Sequence, residues 1–407
     1  MHRRYLASAP SGHPEPHSPF RELIDGGKPV KIVRHSARAR VAAVGIATTG
    51  ALFLAGCGAA NEAPAPAPSG GTGGAAATES QLEGSIAGAG ASSQAAAMEA
   101  WVAGFNVANP GVTVNYDPVG SGGGREQFTS GATAFGGSDA YLDEEELPLA
   151  LERCGGNVLE LPAYISPIAI AFNLEGVDTV NLQPQTIAQI FTKQVANWND
   201  PAIAADNPGT TLPDLPITVV HRSDESGTTE NFQEYLAAVA PDVWTLEPDG
   251  NWPAEFQGEA APQTSGVVQA IGAGNGTIGY ADASQIGDLG TVAVGVGGEF
   301  VEYSPEAAAE IVSASTQVEG RPEGSFAIDI DYANAPAGTY PVVLVSYELA
   351  CGTYPEQETA DLVKAFFSFI VSEEGQQAAS ENAGSAPISD EQRQQFQAAI
   401  EGITAAA

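Results

Sequence analysis

An α/β protein with more than one packed unit is what this chain predicts, and three observations carry the expectation. Short runs rich in β-branched and aromatic residues alternate with stretches whose apolar residues recur at helical spacing. No fixed repeat period links them. The 407 residues, 43% of them apolar and 16% charged, have a globular composition and enough length for two units. Such alternation calls for sheets covered by helices on both faces.

The amino end is of another kind. Eight of the fifteen basic residues lie before position 41, the last of them in KIVRHSARAR. VAAVGIATTGALFLAGC follows, an uncharged apolar run too short to span comfortably as a mature helix and ending in small residues. That is the layout of a secretory signal, so residues 1–56 are expected to be removed, and the odd extension upstream of it puts the expected true start near Val30. Leu54-Ala55-Gly56-Cys57 resembles the bacterial lipobox, which implies cleavage before Cys57 and lipid on its sulfur; an uncleaved anchor helix is the alternative. Residues 57–83 continue as a Pro/Ala-rich and then Gly/Ser-rich tract with almost no bulky apolar residue, which reads as a flexible tether. From Cys57 onward seven basic residues face 47 acidic ones, a formal balance of about −40. No cluster of Lys and Arg is left for a phosphate backbone, so no nucleic-acid partner is expected. Export also leaves Cys154 and Cys351 as an even pair in an oxidising compartment, which predicts a disulfide, with two buried free thiols as the alternative that spacing leaves open.

Folded sequence is expected from about Gln81. In AGAGASSQAAAMEAWVAGFN the apolar residues Met98, Trp101, Val102 and Phe105 mark one helix face, with Ser92 and Ser93 ahead of it as N-cap residues. VTVNY (112–116) reads as a strand, and VGSGGGREQFTSG as a glycine-rich turn into a shorter helix opened by Ser121. AYISPIAIAFNL (163–174) and ITVVH (217–221) are strands. SGTTENFQEYLAAV repeats the helical stripe at Phe232, Tyr235, Leu236 and Val239. GTIGYA (276–281) and YPVVLVSYEL (340–349) complete the strongest strands.

Three of these helices begin with hydroxyls flanked by glycine, at Ser92, Ser121 and Ser226–Thr228. A helix start carries free N–H groups and roughly +0.5 charge, which suits an anion. Glycine lets a ligand approach the backbone closely. Ser and Thr are also ordinary caps, Asp139 in GGSDAYLDEEE also reads as one, and Arg222 in HRSDESGTT could serve only as an ion-pair partner of Asp224.

AGAGASS, PVGSGGGREQF, FGGSDAYL, HRSDESGTT and GVVQAIGAGNGTIGYAD, in this order, resemble the phosphate-binding proteins of bacterial Pst ABC transporters from about Gly84 to the carboxyl end. The resemblance implies a two-lobed type II periplasmic-binding-protein fold with two interlobe crossings, near Pro162–Ser166 and Gly338–Val342, and a ligand cleft. Residues 84–163 with 341–407 would form one lobe and 164–340 the other. It further implies that Ser92, the backbone at Ser93, and Ser121 donate to phosphate while Asp139 accepts. Arg222 would pair with the anion, Asp224 would orient it, and Ser226, Gly227 and Thr228 would donate from their helix start. The implied partners are inorganic phosphate, the permease and ATPase subunits of an ABC transporter, and the membrane through the lipid anchor. Two positions depart from the family pattern: Ser93 stands where a bulky aromatic is common, and Glu225 where glycine is common.

An ionised Asp139 repels a fully deprotonated oxyanion but accepts the O–H of HPO4²⁻ or H2PO4⁻, which makes it a selectivity device. Rival functions find little in the sequence. A serine hydrolase of phosphatase type would need His221, the only histidine after position 35, and no G-x-S-x-G elbow occurs. No G-x-x-x-x-G-K-[ST] loop is present, and neither a metal nor another cofactor is expected. A receptor for another oxyanion on the same scaffold, such as sulfate, molybdate or phosphonate, and a purely adhesive lipoprotein stay open.

Overall fold

The computed structural model describes residues 82–407. The expected signal, the lipid-bearing Cys57 and nearly all of the tether lie outside the described residues. Strand β1 (Glu83–Gly90) opens the fold, reaching one residue into the range expected to be linker. Helix α1 (Ala95–Ala108) buries Met98, Trp101 and Phe105 and half-covers Val102, as the apolar spacing requires. Next come β2 (Gly111–Asp117), α2 (Ser121–Thr129), β3 (Phe135–Ser138) and α3 (Glu146–Arg153). Strand β1 pairs in parallel with both β2 and β3, so α1 and α2 are crossover helices packed on that sheet.

Strand β4 (Val158–Asn173) is 16 residues long and buried along all but its last residue. Its near-continuous apolar run has no alternation because both faces are covered. The chain continues through β5 (Thr179–Leu182), α4 (Pro184–Phe191), α5 (Pro201–Asp206), β6 (Thr218–Arg222) and α6 (Gly227–Val239). After these come β7 (Glu259–Ala261), α7 (Gln263–Ala273), β8 (Thr277–Asp282), β9 (Gly290–Val296), β10 (Glu299–Val301) and α8 (Pro305–Ala314). Short strands β11 (Thr316–Gln317) and β12 (Ile328–Asp329) lead to β13 (Val343–Cys351) and β14 (Thr353–Tyr354). Helices α9 (Gln357–Val371), α10 (Glu373–Ala383) and α11 (Asp390–Glu401) and strand β15 (Thr404–Ala405) end the chain.

The main sheet runs β2-β1-β3-β13-β4-β8-β6-β7, with β5, β9 and β10 branching from its β4 side. Strand β4 joins its two halves: Val158–Pro167 pair with β13, and Ile168–Asn173 pair with β8. The fold is therefore two-lobed, with β1–β3 in one lobe and β5–β10 in the other. The chain crosses between them along β4 and again on the approach to β13, where the Ile168 N–H donates to the Val342 carbonyl at 2.7 Å. Strand β13 starts three residues later than the sequence suggests, after Tyr340-Pro341-Val342; Pro341 has no N–H for a ladder. Cys154, just beyond α3, is bonded to Cys351 at the end of β13, with Cα atoms 4.8 Å apart. No helix among the described residues is long and apolar enough to cross a membrane.

Candidate anion site

Four helix starts converge where the lobes meet. Ser92, Ser93, Ser121, Asp139, Arg222, Ser226 and Thr228 are each 5% exposed or less, and Gly227 is buried, so these residues form one enclosed cluster. Asp139 is at its centre. The Ser93 Oγ donates to its carboxylate at 2.7 Å and the Thr228 Oγ1, from the opposite lobe, at 2.8 Å. Its own N–H donates to the Ser121 Oγ at 3.1 Å, and its carbonyl accepts from the Asn231 amide at 2.7 Å. Burial raises the Asp139 pKa, against the hydroxyls of Ser93, Thr228 and Ser346 and the positive Arg222, which lower it. Gly227 is glycine for a packing reason: a Cβ there would stand 2.7 Å from the Asp139 Cβ.

Arg222, at the end of β6, presents its fork to Asp224: Nε donates to Oδ1 at 2.9 Å and Nη2 pairs with Oδ2. Nη1 is left without a protein partner among the described residues. Burial alone would raise Asp224, but the hydrogen bonds and charge of Arg222 outweigh it and hold the carboxyl below its usual range. Ser226 is the N-cap of α6, its side chain accepting from the Thr229 N–H at 3.2 Å.

Two sequence expectations need correction. Ser92 and Ser93 do not cap α1; the cap position is Gln94, with no side-chain hydrogen bond. Their hydroxyls are taken by remote partners, Ser93 by Asp139 and Ser92 by Thr264, which is 172 residues away. Asp139 is no helix cap either, since α3 begins at Glu146.

The reading of the sequence missed the start of α7. The Thr264 N–H donates to the Ser92 Oγ at 3.1 Å, and the Gln263 N–H donates to the Asp224 Oδ1 at 2.9 Å. Its signal, PQTSGVV, sits directly before the glycine-rich GVVQAIGAGNGTIGYAD. Also missed were Gln285, whose amide donates to the Ser92 carbonyl at 2.9 Å and the Ser93 carbonyl at 3.0 Å, and Arg125. The His221 Nδ1 lies 2.8 Å from the Arg222 carbonyl, its ring stacks on Trp252 at 5.2 Å, and its Nε2 is buried with no hydrogen-bond partner among the described residues.

A cavity of about 840 Å³ also borders Asp139 and is lined by Glu230, Glu234 and Asp329 among others. Burial pushes Glu230 up to about 7 and Glu234 up to about 8. With seven carboxylic residues and one basic residue, Arg321, in its lining, this cavity offers an anion few donors, so the enclosed cluster is the candidate site.

Residues 75–374 match the family described as PBP superfamily domain. The phosphate-binding protein PstS 3 of Mycobacterium leprae is 36% identical over 374 residues, covering 89% of this chain and 98% of that protein. The PstS 3 of Mycobacterium tuberculosis is 35% identical over 370 residues with the same coverage. This chain belongs to the PstS family of the PBP superfamily. The fold agrees with solved PstS-like structures of low identity. A phosphate-binding protein from Stenotrophomonas maltophilia aligns with TM-score 0.60 at 20% identity, over 77% of this chain and 93% of that one. The periplasmic phosphate-binding protein PfluDING aligns with TM-score 0.62 at 21% identity, with the same coverage.

Both departures from the PstS pattern have a structural account. Ser93 supplies a hydroxyl to Asp139 in place of an aromatic ring. Glu225 turns its carboxylate onto Arg125 of the other lobe at 2.8 Å.

Proposed function

We propose that this PstS-family protein captures inorganic phosphate outside the cytoplasmic membrane, held there by lipid on Cys57, and delivers it to the permease and ATPase subunits of an ABC transporter. The observation that carries the reading is the gathering of four helix starts, one guanidinium and one buried carboxylate around a single enclosed point. Ser92, the Ser93 backbone and Ser121 donate from one lobe, and Ser226, Gly227 and Thr228 from the other. Arg222 pairs with the anion, steadied by Asp224. Asp139 has lone pairs left beside the Ser93 and Thr228 hydroxyls for a P–O–H donor.

Inorganic phosphate near pH 7 is a mixture of mono- and dianion, so with an ionised Asp139 the site would hold about −2 to −3. Four helix starts contribute roughly +0.5 each. Asp224 absorbs much of the Arg222 charge, so neutralisation rests more on amide and hydroxyl dipoles than a count of charged residues suggests. The −40 of the rest of the chain is a solvated surface, screened beyond about 8 Å at physiological salt.

We take 84–163 with 341–407 as one lobe and 164–340 as the other, with closure burying the ligand and presenting a joined surface to the permease. A hydrolase reading lacks a nucleophile–base pair, because no serine hydroxyl among the described residues is hydrogen-bonded to the His221 Nε2. Titration calorimetry with phosphate, backed by the emission of Trp252 beside His221, tests the function. One site is expected, with phosphate far outcompeting sulfate at equal ionic strength. Equal competition by sulfate points to a general oxyanion receptor, turnover of a chromogenic phosphate ester to an enzyme, and no small-anion binding to an adhesive role; any of these defeats the proposal. Anchoring is tested separately by mass analysis of the membrane-extracted amino terminus and by release of a Cys57→Ala variant from cells.

A further inference from the structure

The glycine-rich turn before α2 meets more than a ligand. A Cβ on Gly120 would stand 2.6 Å from the Asp224 Oδ2, and a Cβ on Gly122 would collide with the Glu225 carboxyl group. The turn is therefore stripped of side chains where two acids of the opposite lobe come against it. Glu225 lies between Asp224, which holds Arg222, and Ser226, which caps α6. An acid at that position adds a negative charge next to the α6 start, where the proposed anion would bind.

Arg125 answers this charge. It is one of only seven basic residues after Cys57, and its side chain is 6% exposed. Its donors divide among three acceptors: the Glu146 carboxylate at 2.8 Å, the Ser138 Oγ at 3.1 Å and, across the cleft, the Glu225 Oε1 at 2.8 Å. Ser138 is the neighbour of Asp139, and the Gly122 N–H reaches the Glu225 carbonyl at 3.4 Å beside Ser121. The ion pair thus bridges the two lobes in this arrangement and lies beside Ser121 and the α6 start.

We propose that Arg125 is a positioning residue of the anion site, cancelling the Glu225 carboxylate next to the α6 start and fastening the closed lobes. This rests on the phosphate reading above. It makes the two side chains thermodynamically coupled through the ligand: removing Arg125 exposes an acid to phosphate, and removing the acid as well takes that penalty away. A buried arginine that merely supports α2 and α3 through Glu146 would show no such rescue.

The test is a double-mutant cycle with phosphate as the probe, reading affinity by calorimetry and dissociation by stopped flow. Arg125→Gln is expected to weaken phosphate about 30-fold or more, and Arg125→Gln with Glu225→Gln to return to within about 5-fold of wild type. Glu225→Gln alone is expected to speed dissociation about 3- to 10-fold without slowing association, since only the latch between the lobes is lost. Should Arg125→Gln fail to fold, Glu225→Gln carries the decision, because it changes a half-exposed side chain and leaves Arg125 on Glu146 and Ser138. An unchanged dissociation rate in Glu225→Gln overturns the proposal, as does an Arg125→Gln loss that persists in the double variant. Wild-type protein that binds no phosphate defeats the function itself; wild-type binding without coupling defeats only the latch.

Discussion

Replacing Asp139 by Asn tests the feature proposed to separate phosphate from sulfate. The side chain is 2% exposed and already accepts from Ser93 at 2.7 Å and Thr228 at 2.8 Å, so an amide of the same shape stays in place. Two effects follow, and they act differently on the two anions. Loss of the negative charge relieves repulsion for both: at an effective dielectric near 20, a pair of unit charges about 5 Å apart interacts by about 3 kcal/mol. Loss of the acceptor removes the P–O–H to carboxylate bond, a charge-assisted hydrogen bond contributing about 1.5–3 kcal/mol, and only phosphate makes it. For phosphate the two terms nearly cancel. Sulfate receives only the gain, so its affinity is expected to rise about 100-fold, and the phosphate-to-sulfate ratio to fall about 10- to 150-fold. Competition calorimetry at pH 7 and fixed ionic strength, on wild type and variant, measures the ratio directly. A ratio held within about 3-fold of wild type would refute the account of Asp139 as a proton-reading acceptor.

Three further outcomes concern stability. Gly124→Ala places a Cβ against the Gly90 Cα and 2.9 Å from the Ala89 carbonyl, forcing α2 off β1; a loss on the order of 2–3 kcal/mol is expected in urea unfolding. Cys154→Ser opens a link between residues 197 apart in sequence, and chain entropy assigns such a loop about 5 kcal/mol, so a loss of about 3–5 kcal/mol should also appear when wild type is melted in reductant. Glu348 is 1% exposed, neither carboxylate oxygen has a hydrogen-bond partner among the described residues, and burial pushes it up to about 8 with Gln94 opposing. Its folded value lies above the unfolded one, so the folded chain keeps a proton that the unfolded chain has lost. Stability therefore falls as pH rises from about 5 to about 8 and levels off above. Glu348→Gln should match wild type near pH 5 and exceed it at pH 8.5 by on the order of 4 kcal/mol, with part of the slope surviving through Glu230 and Glu234.

Local chemistry was legible wherever one segment carries its own signal. The stripes of α1 and α6 and the strands at 112–116, 163–174, 217–221, 276–281 and 340–349 all appear as elements, shifted by a few residues. Strand β1 escaped notice because five of the eight residues of EGSIAGAG are glycine or alanine, and β3 because FGGS is four residues long. Both are strands because they pair with each other and their neighbours, an energy that no single segment contains. At the site, Ser226 as a cap and Arg222 beside Asp224 were readable, since each bond closes within three residues. The roles given to Ser92 and Ser93 as caps were not, because a hydroxyl with a better partner across the fold abandons the local one.

By itself the amino-acid order determined the fold class, the family resemblance and the hydroxyl-bearing motifs that the proposed site uses. Those are properties of short segments, set by side-chain periodicity, turn geometry and the hydrogen bonds a residue makes within one helical turn. The Cys154–Cys351 bond was expected from the even pair of cysteines, whereas tertiary structure alone decided that α7 joins the other helix starts and that Glu225 is answered by Arg125, one hundred positions earlier in the chain. The physical reason is that a contact between lobes depends on how remote surfaces pack and exclude water, a quantity that belongs to the closed pair and to neither stretch of sequence.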